Sequence, residues 1–134
     1  MELRDYQKEI VRLGVNVLKE HKFVYLAMEV RTGKTLTSLS ICKTLAVSDV
    51  LFITKKKAIS SIQDDYNLLN PDFNITIINY ESLHKIDSAP YCVIICDEAH
   101  GMGAYPKPSK RAKDVKSLIQ INNNPYVILL SGTP

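Results

Sequence analysis

The chain has 134 residues, 46% hydrophobic and 23% charged, the make-up of one globular domain and not of a disordered, collagen-like or coiled-coil chain. Seventeen basic residues against fourteen acidic ones leave a net charge of +3, too mild to identify a polyanionic partner, so charge placement must decide that question. The apolar runs fall well short of the roughly 20 residues that a membrane helix needs, and the polar start Met1-Glu2-Leu3-Arg4-Asp5 predicts no secretory leader. Cys42, Cys92 and Cys96 cannot all pair within one chain and show no zinc-ribbon spacing. They predict free, mostly buried thiols in a reducing cytoplasm.

Residues 4–20 place Ile10, Leu13 and Val17, together with Tyr6, at helical spacing and predict a first helix with that face buried. A strand follows at 23–28, then a helix over 34–47 carrying Leu36, Leu39, Ile41 and Leu45. The next strand, 50–54, leads through Lys55 and Lys56 to a helix over 58–69 with Ile59, Ile62, Tyr66 and Leu69. Strands at 75–78 and 92–96 come next, then a helix over 110–121 with Ala112, Val115, Leu118 and Ile119, and a last strand at 126–130. The strands are short, continuously apolar and rich in β-branched residues, which suits strands covered on both sides. Their alternation with helices predicts an α/β fold: a mostly parallel sheet of five or more strands with helices on both faces. Such sheets bind ligands at the carboxyl ends of their strands, so the residues after each strand matter most.

The first strand runs into Glu29-Val30-Arg31-Thr32-Gly33-Lys34-Thr35 at the start of a helix. Gly-Lys-Thr between strand and helix is the core of a phosphate loop. Gly33 allows close backbone approach, Lys34 reaches the outer phosphates, and the Thr35 hydroxyl suits Mg²⁺. The full pattern places glycine five residues before Gly33, where this chain has Met28. The fourth strand delivers Asp97-Glu98-Ala99-His100. An Asp then a Glu after an apolar strand supplies a metal-holding carboxylate and a general base for water. The fifth strand ends in Ser131-Gly132-Thr133-Pro134, which reads either as a phosphate-sensing segment or as a simple turn.

Taken together, these blocks resemble the first RecA-like lobe of a superfamily 2 helicase or translocase, nearest the Swi/Snf-like branch. Leu3-Arg4-Asp5-Tyr6-Gln7 resembles the adenine-reading block, residues 28–35 motif I, and Leu51-Phe52-Ile53-Thr54-Lys55 motif Ia. Asn79-Tyr80-Glu81-Ser82-Leu83 resembles motif Ib, Asp97-Glu98-Ala99-His100 the DEAH form of motif II, and Ser131-Gly132-Thr133-Pro134 motif III. Arg31 departs from the pattern, since Swi/Snf-like loops usually carry glycine there.

The resemblance implies a RecA-like P-loop NTPase lobe over residues 1–134, using ATP and Mg²⁺. Lys34, Asp97 and Glu98 are its expected catalytic residues, with Thr35 and Asp97 on the metal. Gln7, Tyr6, Arg31, Thr32, Gly33, Lys34, Thr35 and His100 are expected around the nucleotide. Tyr6 either stacks on the base or packs in the core. Nucleic acid, DNA before RNA, is expected at Thr54, Lys55, Lys56, Asn79 and Tyr80. Lys110 and Arg111, in a basic run from Lys107 to Lys116, either join them or form the wet face of a helix. The family works with two lobes, and this chain reaches only motif III. The expectation is an excised lobe, or a short product whose second lobe is encoded separately, nearly inactive alone. Two other readings stay open: a non-catalytic module of the same fold that holds a protein or nucleic acid, and a P-loop kinase or GTPase, which would need a different base-reading element.

Overall fold

The computed structural model describes residues 3–29, 33–86, 91–98, 110–122 and 124–133. The chain begins with helix α1 (Asp5–His21), then strand β1 (Phe23–Glu29), helix α2 (Lys34–Leu45) and strand β2 (Asp49–Thr54). A short 3-10 turn (Lys56–Ala58) leads into α3 (Ile59–Leu69) and β3 (Asn74–Asn79). A second 3-10 segment (Tyr80–Lys85) precedes β4 (Val93–Cys96), α4 (Lys110–Ile121) and β5 (Tyr126–Thr133). All pairings are parallel, in the order β1-β5-β4-β2-β3. The α/β fold expected from the alternating pattern is therefore present.

Strand order and helix placement explain each other. From β1 the chain moves across the sheet to β2 and on to β3, and the helices of these steps lie on one face. From β3 it turns back to β4 and then to β5, and the connections pass over the other face. Parallel crossovers are right-handed almost without exception, so a reversal of direction forces a change of face. The first face buries Val11, Val15 and Leu18 of α1, Leu39, Ile41 and Cys42 of α2 and Ile62 of α3 against Val24, Leu26, Val50, Phe52, Ile95 and Ile128. The second packs Val115 and Leu118 of α4 with Tyr80 and Leu83 against Leu51, Ile53, Ile94 and Cys96. β2 and β4 thus bury consecutive residues on both sides, which is why they read as unbroken apolar runs.

Three expectations change in detail. Helix α1 buries Gln7, Val11, Gly14, Val15 and Leu18, while Leu13 and Val17 are 49% and 37% exposed. The reason is α2. Gly14 brings α1 so close to α2 that a β-carbon there would lie 2.8 Å from Ile41 Cδ1, and this contact sets the helix phase. Tyr6 is 41% exposed, so it is not a core residue. Finally, β5 runs on through Thr133, because Ala27, Met28 and Glu29 pair with Ser131, Gly132 and Thr133. Ser131, Gly132 and Thr133 of motif III thus end a strand and do not form a turn after one. Among the described residues no helix is long and apolar enough to cross a membrane. The three cysteines are free, Cys42 and Cys96 buried and Cys92 half-buried, as the sequence reading expects.

Candidate active site

The carboxyl edge of the sheet collects the start of α2, the residues after β4 and the end of β2. Gly33 caps α2 in the left-handed region, with φ 78° and ψ 35°. Only glycine holds that conformation without strain. A β-carbon at Gly33 would also lie 2.1 Å from Nε2 of Gln7. Gln7 is itself fixed, since its Oε1 accepts the Arg4 backbone N–H at 2.8 Å. The side chain that closes the chain's first motif and the glycine of the phosphate loop are therefore in direct contact. The Gly33 carbonyl accepts from the Thr37 N–H at 2.9 Å, so the helix begins at Lys34 and points its first N–H groups out of its end.

Lys34 crosses from this helix start to the strand-end acids. Its Nζ donates to Glu98 Oε1 at 2.9 Å and lies 3.2 Å from Asp97 Oδ1. The Lys34 side chain is only 15% exposed. Burial works against its charge, but the hydrogen bond to Glu98 and the nearby Asp97 outweigh it and hold the ammonium above its ordinary range. One strand, β5, separates the parent strands β1 and β4, a gap of about 10 Å. The long lysine side chain spans what the backbone leaves open.

Asp97 is the most heavily held residue of the site. It is 4% exposed. Its N–H donates to the Ile53 carbonyl at 2.8 Å, extending the β4–β2 ladder by one residue. Its Oδ2 accepts the Thr54 hydroxyl at 2.8 Å, and its Oδ1 accepts the Glu98 N–H at 3.0 Å. Its carbonyl accepts the Tyr80 hydroxyl. Glu98 then sits at φ 55°, a left-handed conformation that costs a non-glycine residue on the order of 1–3 kcal/mol. The sharp turn presents its carboxylate to Lys34.

Among the described residues two carboxylates, those of Asp97 and Glu98, face one ammonium, that of Lys34, at this edge. The donors are hard oxygens: the Asp97 carboxylate, with the Thr35 hydroxyl in the first turn of α2. That set fits Mg²⁺, which takes one or two protein oxygens and fills its shell with water and phosphate. Among the described residues no three His, Cys, Asp or Glu side chains cluster to form a complete protein cage.

The expected site residues divide clearly. Gln7, Gly33, Lys34, Asp97 and Glu98 are brought together, with Thr35 beside them and Tyr6 exposed two helix positions from Arg4, whose guanidinium donates to its hydroxyl at 3.3 Å. Arg31, Thr32 and His100 lie outside the described residues. Lys55 and Lys56 are exposed just after β2, and Asn79 is half-buried with its amide donating to Glu81 at 3.0 Å. Lys110 and Arg111 open α4, and their side chains lie outside the described residues. Thr54 and Tyr80 do not meet the expectation of a nucleic-acid surface. Thr54 ends an inner strand with no accessible surface, Tyr80 is 4% exposed, and both hydroxyls turn inward to Asp97. No local signal marked this, because the contact depends on β2 lying beside β4.

The fold and this edge define a P-loop lobe of the RecA-like kind. The chain belongs to the ResIII family, described as "Type III restriction enzyme, res subunit", whose model matches residues 1–68. Two solved structures share its architecture across the whole chain. One is the Sulfolobus solfataricus SWI2/SNF2 ATPase core in complex with dsDNA, with a TM-score of 0.78 and 21% identity. The other is a nuclease-deletion mutant of the Type ISP restriction-modification enzyme LlaGI in complex with a DNA substrate mimic, with a TM-score of 0.71 and 18% identity. The chain spans 32% and 18% of the lengths of those two proteins. No curated protein matches it. Family and fold together make it a RecA-like lobe of the superfamily 2 helicase and translocase type.

Proposed function

We propose that residues 1–134 are the ATP-binding lobe of a helicase or translocase that couples ATP hydrolysis to movement on DNA, working with a second RecA-like lobe in cis or in trans. The observation that carries this reading is the convergence of Lys34, the Gly33-capped start of α2 and the Asp97–Glu98 pair on one edge of the sheet. In this reading the first N–H groups of α2 and the Lys34 ammonium take the outer phosphates of ATP. Arg31 and Thr32 complete the loop. Gln7, seated against Gly33, reads the adenine edge, and Tyr6 stacks from its exposed position. Thr35 and Asp97 would hold Mg²⁺, which would supply charge neutralisation to the phosphates. Glu98 accepts a proton from the attacking water as its oxygen bonds to the γ-phosphorus and the bond to the bridging oxygen breaks, leaving ADP and phosphate. The phosphates compete for the Lys34 ammonium and so release Glu98 for that task. His100 couples the site to motif III or to the second lobe.

An arginine from a facing lobe is worth on the order of 10³–10⁵ in rate for such reactions. The isolated chain is therefore expected to bind ATP–Mg²⁺ weakly and hydrolyse it very slowly. DNA is favoured because both similar structures are DNA complexes. Lys55, Lys56 and Asn79, with Lys110 and Arg111, are the proposed contacts, and free thiols suit a cytoplasmic setting.

Calorimetry of the chain and of Lys34→Ala with ATP–Mg²⁺ tests the reading. Binding that Lys34→Ala abolishes is the expected result. Binding that survives in the variant, or preference for GTP over ATP, would overturn it. No binding up to millimolar ATP would leave a site completed only by the second lobe or a non-catalytic module.

A further inference from the structure

The two hydroxyls bonded to Asp97 come from two separate elements, the end of β2 and the segment after β3. Thr54 is the last residue of β2, and the exposed Lys55, Lys56 and Lys57 follow it immediately. Tyr80 is the first residue after β3, in the segment between Asn79 and Glu81, whose side chains bond each other. Both residues are buried, and both spend their hydroxyl proton on the same aspartate, one on its carboxylate and one on its carbonyl.

The bonds divide the Asp97 carboxylate. Oδ2 is turned inward and held by Thr54. Oδ1 is turned toward the phosphate loop, where it takes the Glu98 N–H and faces Lys34. Without Thr54 the inner oxygen Oδ2 loses this donor, and the carboxylate's last torsion is restrained from the Oδ1 side by the Glu98 N–H and Lys34. The Tyr80 bond acts on the main chain instead, and fixes the peptide that must turn sharply to reach Glu98 at φ 55°. One contact sets the rotation of the acid and the other sets the backbone that carries it.

We infer that Thr54 and Tyr80 are positioning residues for the cation site, holding Asp97 so that Oδ1 is presented to the metal that accompanies the nucleotide. The inference rests on the nucleotide-binding reading above. Outer-shell partners of a metal-holding carboxylate typically account for 10–100-fold in metal affinity.

Calorimetric titration with ADP, once with excess Mg²⁺ and once with EDTA, separates the metal-dependent part of binding from the rest. The wild-type chain is expected to bind ADP more tightly with Mg²⁺. Thr54→Val, which keeps shape and loses the donor, is expected to lose about tenfold of the Mg²⁺-dependent gain while its affinity in EDTA stays the same. Thr54→Ser is expected to restore the gain, and Tyr80→Phe to reduce it in the same direction. Thermal melts report on folding. If Thr54→Val does not fold, Thr54→Ser against Tyr80→Phe still makes the comparison. An unchanged Mg²⁺ gain in both folded donor-less variants, or equal losses with and without Mg²⁺, overturns the inference. Failure of the wild type to bind ADP at all would instead bring down the nucleotide reading itself.

Discussion

Lys34 serves two carboxylates at once, and that makes it the cation that balances them. Its ammonium is held above the ordinary 10.5 against the opposing effect of burial. A group whose folded value is raised contributes stability that is complete below its unfolded value and is lost as pH rises through the folded one. The contribution is therefore full at neutrality and fades only at alkaline pH, above 10.5. Urea denaturation carried from neutrality past that value is expected to show a steeper loss for the wild type than for Lys34→Met. Equal slopes would mean that the pair adds nothing. Gly33 makes a second prediction at this scale. Gly33→Ala meets both a left-handed backbone and the Gln7 amide, and is expected to cost at least about 1 kcal/mol in a urea midpoint measurement and to weaken ATP binding. Gly33, Lys34, Thr35, Asp97 and Glu98 were legible as candidates because their chemistry lies in short runs of neighbours. Thr54 and Tyr80 were read as nucleic-acid contacts and not as partners of Asp97, because that partner is 43 and 17 residues away and is reached across the sheet.

At the level of elements, period was legible and phase was not. The apolar residues of α1 repeat as a helix should, but two stripes share the repeat. One runs through Tyr6, Ile10, Leu13 and Val17, the other through Gln7, Val11, Gly14, Val15 and Leu18. The second is buried although a glutamine and a glycine interrupt it, since those two residues make the tight contacts with Gly33 and Ile41. Hydrophobicity alone ranks the stripes the wrong way round. Substitutions should reverse that ranking. Leu18→Ala, at a fully buried site, is expected to cost about 2–5 kcal/mol. Leu13→Gln is expected to stay within about 0.5 kcal/mol of the wild type in the same denaturation experiment. A large cost for Leu13→Gln would mean that the outer stripe of α1 is covered in solution.

The strand order is a property of the whole molecule that no local pattern reveals. Five apolar runs in sequence are compatible with many sheets, and only the crossover rule joined to the observed order places β5 between the loop strand β1 and the acid strand β4. That order also sets β2 beside β4, so the residue before the exposed Lys55–Lys57 run is the one bonded to Asp97. A ligand on those lysines is then one peptide unit from the hydroxyl that bonds Asp97. Duplex DNA neutralised by lysines releases counterions, with a slope of about −0.9 in log affinity against log salt for each phosphate contact. If the lysines after β2 meet the phosphates, replacing Lys55, Lys56 and Lys57 with Gln should weaken duplex binding in fluorescence anisotropy and flatten that slope by about 2–3, with melting temperature unchanged. By linkage, DNA that alters ATP–Mg²⁺ affinity in the wild type should alter it less in this variant, and ATP–Mg²⁺ should alter DNA affinity by the same reduced factor. An unchanged salt slope would move the nucleic-acid contact elsewhere, with the basic start of α4 as the next surface to test.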